Sequence, residues 1–131
     1  KQLPPEHQAA IAAIDAGELE KAQALYEKLI VEYPNDSEAK AGLAQVKFMI
    51  RLASADLGGD QESLEVMFAA ADKLLVAGQI EQALMSLIER FEADFDNREA
   101  IRERLLELFV LIGDAEPAVL EARRKLANLM F

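Results

Sequence analysis

Apolar residues recur along this chain every three or four positions, and strict alternation of apolar and polar residues is almost absent. That period is helical, because residues i, i+3, i+4 and i+7 share one face of an α-helix. A first stretch over residues 6–16 opens on Pro4-Pro5, which suits an entry turn, and stops at Gly17. A second carries Leu19, Ala22, Tyr26, Leu29, Ile30 and Tyr33 on one stripe, and Pro34 ends it. Asn35 with Glu38 reads as a capping pair for a third helix, which carries Ala39, Leu43, Val46, Ile50 and Ala53. Gly58-Gly59 is the clearest breaker in the chain. Asp60 then suits the cap of a fourth helix with Leu64, Met67, Phe68, Ala71, Leu74 and Leu75 on one face, closed by Gly78. The fifth carries Ile80, Ala83, Leu84, Leu87, Ile88, Phe91 and Phe95. Asp96 with Glu99 makes a second capping pair, ahead of a sixth helix with Ile101, Leu105, Leu108, Phe109 and Ile112 that stops at Gly113. Residues 114–117 open a seventh, with Val119, Ala122, Leu126, Leu129 and Met130.

The fold class this predicts is all-α, an irregular helical-hairpin solenoid of about seven helices. Helices of about 11–19 residues are marginal alone in water, so these stripes must bury against one another. The short connections favour antiparallel neighbours.

Composition narrows the chemistry. The chain has 131 residues, 52% hydrophobic and 29% charged, a globular balance suited to one domain. Fourteen basic residues face 24 acidic ones, for a formal charge of −10, which argues against nucleic-acid binding. There is no cysteine, which removes thiol catalysis and cysteine-ligated zinc. The single histidine, His7, leaves little room for a catalytic triad or a histidine metal site. No apolar run approaches the ~20 residues of a membrane span. Lys1 opens the chain with no secretory signal after it, as a cytoplasmic fragment of a longer polypeptide would.

Two segments repeat at a spacing of about 61 residues: Gly17, Leu19, Ala22 and Leu25/Tyr26 match Gly78, Ile80, Ala83 and Met85/Leu87. Gly17, Ala22, Tyr26 and Pro34 resemble a tetratricopeptide repeat, with its Ala, an aromatic four later and a closing Pro. The correspondence is closer in residues 3–36 than in 64–97, where Phe95 stands in place of the Pro. A regular pair of repeats spans about 68 residues, so the middle unit is expected to have lost most of its second helix near Gly58-Gly59.

A narrower resemblance covers most of the chain. Leu3-Pro4-Pro5-Glu6-His7-Gln8, Lys40-Ala41-Gly42-Leu43-Ala44-Gln45-Val46 and the ending Ala122-Arg123-Arg124-Lys125-Leu126-Ala127-Asn128-Leu129-Met130-Phe131 look like the C-terminal half of bacterial YbbN/CnoX-type proteins. That family joins a thioredoxin-like domain to a tetratricopeptide-like one and acts as a holdase and co-chaperone. The resemblance implies unfolded clients, a chaperonin or the Hsp70 system as partners. The chain itself has no thioredoxin stretch and no Cys-x-x-Cys, so a redox task cannot be done by these residues. Residues 1–5 then read as a linker from an upstream domain, 6–54 as a first repeat with a third helix, and 60–131 as a second helical block of one repeat domain.

The remaining constellations read as structure. Asp94-x-Asp96 lacks the Gly and Glu of a calcium loop and suits a helix cap. The many carboxylates, such as Glu18, Glu20, Glu27 and Glu32, fall on solvated faces. Met49, Met67, Met85 and Met130 fit core or groove positions. No catalytic residue, cofactor or metal site is expected, and the chain reads as no enzyme.

Binding is what remains. In tetratricopeptide pairs the first helix lines the concave side, and this register places His7, Ile11, Ala41, Gln45, Phe48, Phe68 and Asp72 in a groove. His7 otherwise reads as a solvated N-terminal histidine. These slots lack the Lys, Arg and Asn that grip acidic tails, so the groove should prefer apolar or basic segments. Residues 54–96 hold ten acidic residues against Lys73 and Arg90. The ending is different: Arg123, Arg124, Leu126, Leu129, Met130 and Phe131 suit either a helix that docks on a partner or one that caps the last helix pair. A second possibility is a structural module that self-associates weakly through Leu25, Val31 and Leu57.

Overall fold

A computed structural model of the protein describes residues 5–54 and 63–130. Among these are seven α-helices and no strand: α1 (Pro5–Asp15), α2 (Leu19–Glu32), α3 (Ser37–Ser54), α4 (Leu64–Val76), α5 (Ile80–Ala93), α6 (Arg98–Ile112) and α7 (Pro117–Met130). The fold is all-α and built of helical hairpins. The chain divides into two compact units, Lys1–Ser54 and Ala55–Phe131.

In the first unit α2 packs against both α1 and α3. Its core is Ala10 and Ala13 of α1, Ala22, Tyr26 and Leu29 of α2, and Ala39 and Val46 of α3. Three alanines at the α1–α2 contact let the axes approach closely, and Tyr26 fills the space toward α3. In the second unit α5 is central, touching α4, α6 and α7. It therefore buries the widest stripe: Ala83, Leu84, Leu87, Ile88 and Phe91. Ile101, Leu105, Leu108 and Phe109 of α6 and Val119, Ala122 and Leu126 of α7 complete that core.

The repeat read from the sequence is a repeat of geometry. α1 and α4 each end in a glycine at positive φ, Gly17 at 79° and Gly78 at 82°. In both turns the glycine N–H donates three residues back, Gly17 to Ile14 and Gly78 to Leu75, at 3.0 Å. The next N–H reaches five back, Glu18 to Ala13 at 2.8 Å and Gln79 to Leu74 at 2.9 Å. This is the Schellman closure, in which left-handed backbone suits a residue without Cβ. α2 and α5 then bury Ala22 and Ala83 completely at matching places.

The caps differ from the sequence reading. α3 is capped by Asp36, not Asn35: Oδ1 of Asp36 accepts from the Ala39 N–H at 3.0 Å. The expected cap Asp60 lies outside the described residues, as do Gly58 and Gly59. Ser63 caps α4, accepting from the Val66 N–H at 3.2 Å. α5 stops at Ala93, and Phe95, 77% exposed, starts a short 3-10 turn, Phe95–Asn97. The Asp96–Glu99 capping box does not form: Asn97 occupies the cap position, and its side chain makes no capping bond to the helix. Arg98 holds the junction instead, donating from Nε to the Phe91 carbonyl at 3.0 Å with its guanidinium 4.7 Å from the Phe91 ring centre and 5.2 Å from that of Phe95.

Candidate protein-binding surfaces

The groove positions fall into two groups. Ile11 on α1 is 44% exposed, and Ala41 and Gln45 on α3 face solvent. Phe48, one turn further along α3, is half-buried, with the Arg51 guanidinium 5.8 Å from its ring centre. These α3 residues lie off the face that carries Ala39 and Val46 into the core, as a period of 3.6 requires.

His7 belongs elsewhere. It is 2% exposed, neither a groove contact nor a solvated residue. It shares the inward face of α1 with Ala10 and Ala13. Its Nε2 lies 2.7 Å from Oδ2 of Asp36, and its ring meets Tyr26 edge-on at 6.2 Å. The His7 hydrogen bond, with the Ala39 N–H second, holds the Asp36 carboxyl below its ordinary range.

Phe68 and Asp72 on α4 also turn inward. Asp72 is 3% exposed and lies 4.0 Å from Nη1 of Arg104 on α6. The same guanidinium stacks 4.2 Å from the ring centre of half-buried Phe68 and approaches Glu107 at 3.8 Å. Arg104 and Glu107 are contributors that the sequence reading missed. Glu107 pairs locally, three positions from Arg104, but no local signal marks Arg104 itself, whose partners Phe68 and Asp72 lie more than thirty positions away.

The end of the chain is more closed than a free docking helix. Leu126 is buried in the second core, and Leu129 packs against it. Arg123 pairs with Asp114 at 3.2 Å and stacks 4.8 Å from the Phe109 ring centre. Arg124 donates to both oxygens of Glu121 at 2.7 Å, which holds that carboxyl below its usual range. Met130 is 42% exposed, and Phe131 lies outside the described residues. Of the residues suited to self-association, Leu25 packs against the first core, Val31 is 82% exposed, and Leu57 lies outside the described residues.

Asp94 takes the Asn97 side chain at 2.8 Å and Arg90 at 2.9 Å, and these bonds lower its pKa in that order of weight. Among the described residues no group of three His, Cys, Asp or Glu could hold a metal ion. No helix among them is long and apolar enough to cross a membrane.

Paired helices, a glycine closure repeated in two hairpins, and cores built on small residues at the crossings define a helical-hairpin repeat protein. The chain belongs to the tetratricopeptide repeat family, whose model matches residues 49–131. The match covers the second unit with the end of α3; the Gly17, Ala22, Tyr26 and Pro34 signature lies before it. The chain is 31% identical over 129 residues to uncharacterized proteins of Mycobacterium bovis and of two strains of Mycobacterium tuberculosis. The alignment covers 90% of this chain and 41% of each relative. No solved structure matches the chain. Tetratricopeptide repeats mediate protein–protein interaction and are typically not enzymes.

Proposed function

We propose that this chain is a protein-binding adaptor, the client- or chaperone-binding part of a thioredoxin-like co-chaperone of the cytoplasm. One observation carries the binding role. α3 sends Ala39 and Val46 into the core of the first unit, while Ala41 and Gln45 face solvent and Phe48 is half-buried on another face. Ile11 on α1 is a further exposed apolar contact. Such a face suits an apolar or basic segment of an unfolded client, or of a chaperonin or Hsp70 partner. The co-chaperone role is supported by the resemblance of the ending, residues 122–131, and of residues 3–8 and 40–46.

The test is aggregation of a thermally unfolding client followed by light scattering, with the chain added at micromolar concentration. Suppression by the wild type, lost in a Phe48→Ala, Ile11→Ser variant that keeps its helix content, supports the reading. No suppression, together with no co-sedimentation with a chaperonin or an Hsp70, overturns it. Self-association is a second reading, favoured by Val31 at 82% exposure. A strict monomer in sedimentation equilibrium at high concentration removes it.

A further inference from the structure

A cleft of about 970 Å³ opens between the first turns of α5 and α7. That is the size of a small-ligand or side-chain pocket. Its floor is apolar: Leu84 and Ala122 are buried, and Ile80 and Ala118 are half-buried beside them. Its charged groups are unevenly compensated. Glu121 is taken up by Arg124, and Lys125 folds back to 3.5 Å from the Met85 sulfur and 3.9 Å from Glu121. Glu81 and Glu116 also line the cleft, and neither carboxylate forms an ion pair among the described residues. The rim is thus negative over a greasy floor, on a chain whose net charge of −10 already draws cations in.

We propose that this cleft binds a short basic–apolar peptide segment, with an apolar side chain on the Ile80–Leu84–Ala118–Ala122 floor and a flanking Lys or Arg against Glu81 and Glu116. A nucleic acid or an acidic tail would meet like charge. The cleft shares no residue with the positions on α1, α3 and α4 discussed above, so this binding stands or falls apart from the adaptor role of α3.

The experiment uses the full 131-residue chain and a fluorescein-labelled peptide of alternating Lys and Leu, with its Glu-for-Lys counterpart as control, read by anisotropy. The Lys–Leu peptide is expected to bind and the Glu–Leu peptide not. E81Q/E116Q, which loses both carboxylates, is expected to weaken binding about tenfold. The charge-matched E20Q/E27Q pair in the first unit changes it less than about twofold. In the wild type, peptide titration shifts the amide resonances of Gln82 and Ala118 first. Phe48→Ala leaves the affinity unchanged, which separates this site from α3. Equal loss in the two charge pairs, equal binding of the acidic peptide, or no binding of the basic one at millimolar concentration overturns the proposal.

Discussion

His7 on α1 and Asp36 at the start of α3 share a 2.7 Å hydrogen bond although 29 positions separate them. Asp36 uses its other oxygen for the Ala39 N–H, so one carboxylate caps α3 and ties it to α1. Tyr26 of α2 lies against the same imidazole. The bond thus joins the two helices that flank α2. His7→Ala is expected to destabilise the first unit by about 2 kcal/mol, through lost burial and a lost hydrogen bond. Tyrosine fluorescence during urea unfolding checks this, because the only two tyrosines, Tyr26 and Tyr33, both belong to that unit.

The same bond sets an acid dependence. The folded-state pKa of Asp36 lies below its ordinary 3.8, chiefly through the His7 hydrogen bond and then the Ala39 N–H. The unfolded chain therefore binds this proton more readily, and stability rises with pH across that window. The contribution is fully present above the ordinary carboxylate value and is lost as pH falls through the lowered one. The Asp36 contribution to the stability gap between wild type and Asp36→Asn should be present above the ordinary carboxylate range and close as pH falls below about 4. Tyrosine-detected melts isolate this from Asp94 and Glu121, which are lowered in the same sense in the second unit. A gap that persists unchanged to pH 2 rules the account out.

Gly42 sits inside α3, where alanine is usually the better helix former by about 1 kcal/mol. Here a Cβ would lie 2.6 Å from Cε1 and 2.8 Å from Cε2 of Tyr26, closer than real carbons approach. Gly42→Ala is therefore expected to reverse the usual sign and destabilise by about 1–3 kcal/mol, the range for overpacking. The pair Gly42→Ala with Tyr26→Leu should recover part of that loss, since the smaller side chain vacates the space. A stabilised single variant would falsify the packing described.

The limits of reading this fold from its sequence have a common physical cause. The helices were legible because each stripe of Leu, Ile, Val and Ala keeps a 3.6 period and glycine marks the stops at Gly17, Gly78 and Gly113. Local chemistry chose wrongly where two residues compete for one role. Asn35 and Asp36 are both good caps, and the contact with His7 favours Asp36. Phe95 keeps the α5 period but leaves the helix because the backbone has already turned at Asp94. Candidate site residues were legible only as to face. Ala41 and Gln45 do point outward, while His7 and Asp72 find polar partners deep in sequence distance and turn in.

Arg104 binds α6 to α4 through stacking on Phe68 and approach to Asp72. Because the Phe68 contact is between a planar guanidinium and a ring, lysine should not replace it. Arg104→Lys is expected to cost about 1 kcal/mol. A double-mutant cycle with Phe68→Ala should give a coupling of about 0.5–1 kcal/mol. Urea unfolding followed by helix circular dichroism supplies the four stabilities. Additive effects would show that the stacking contributes nothing.

Leu126 and Met130 lie four positions apart on α7 but in different surroundings. Leu126 is 4% exposed within the second core, whereas Met130 is 42% exposed. Removing the Leu126 side chain creates a cavity beneath α7, and Leu126→Ala should cost about 2–4 kcal/mol. Met130→Ala removes surface already in water and should change stability by less than about 0.5 kcal/mol. Any partner that uses the end of α7 must therefore contact Met130 while leaving Leu126 in place. In a client-suppression assay run well below the melting temperature of each variant, Met130→Ala should lower activity if that end is used. Leu126→Val, a smaller change within the same core, should leave it intact. The opposite pattern would mean that α7 leaves the second core to bind, and that its packing on α5 is not the state that meets the partner.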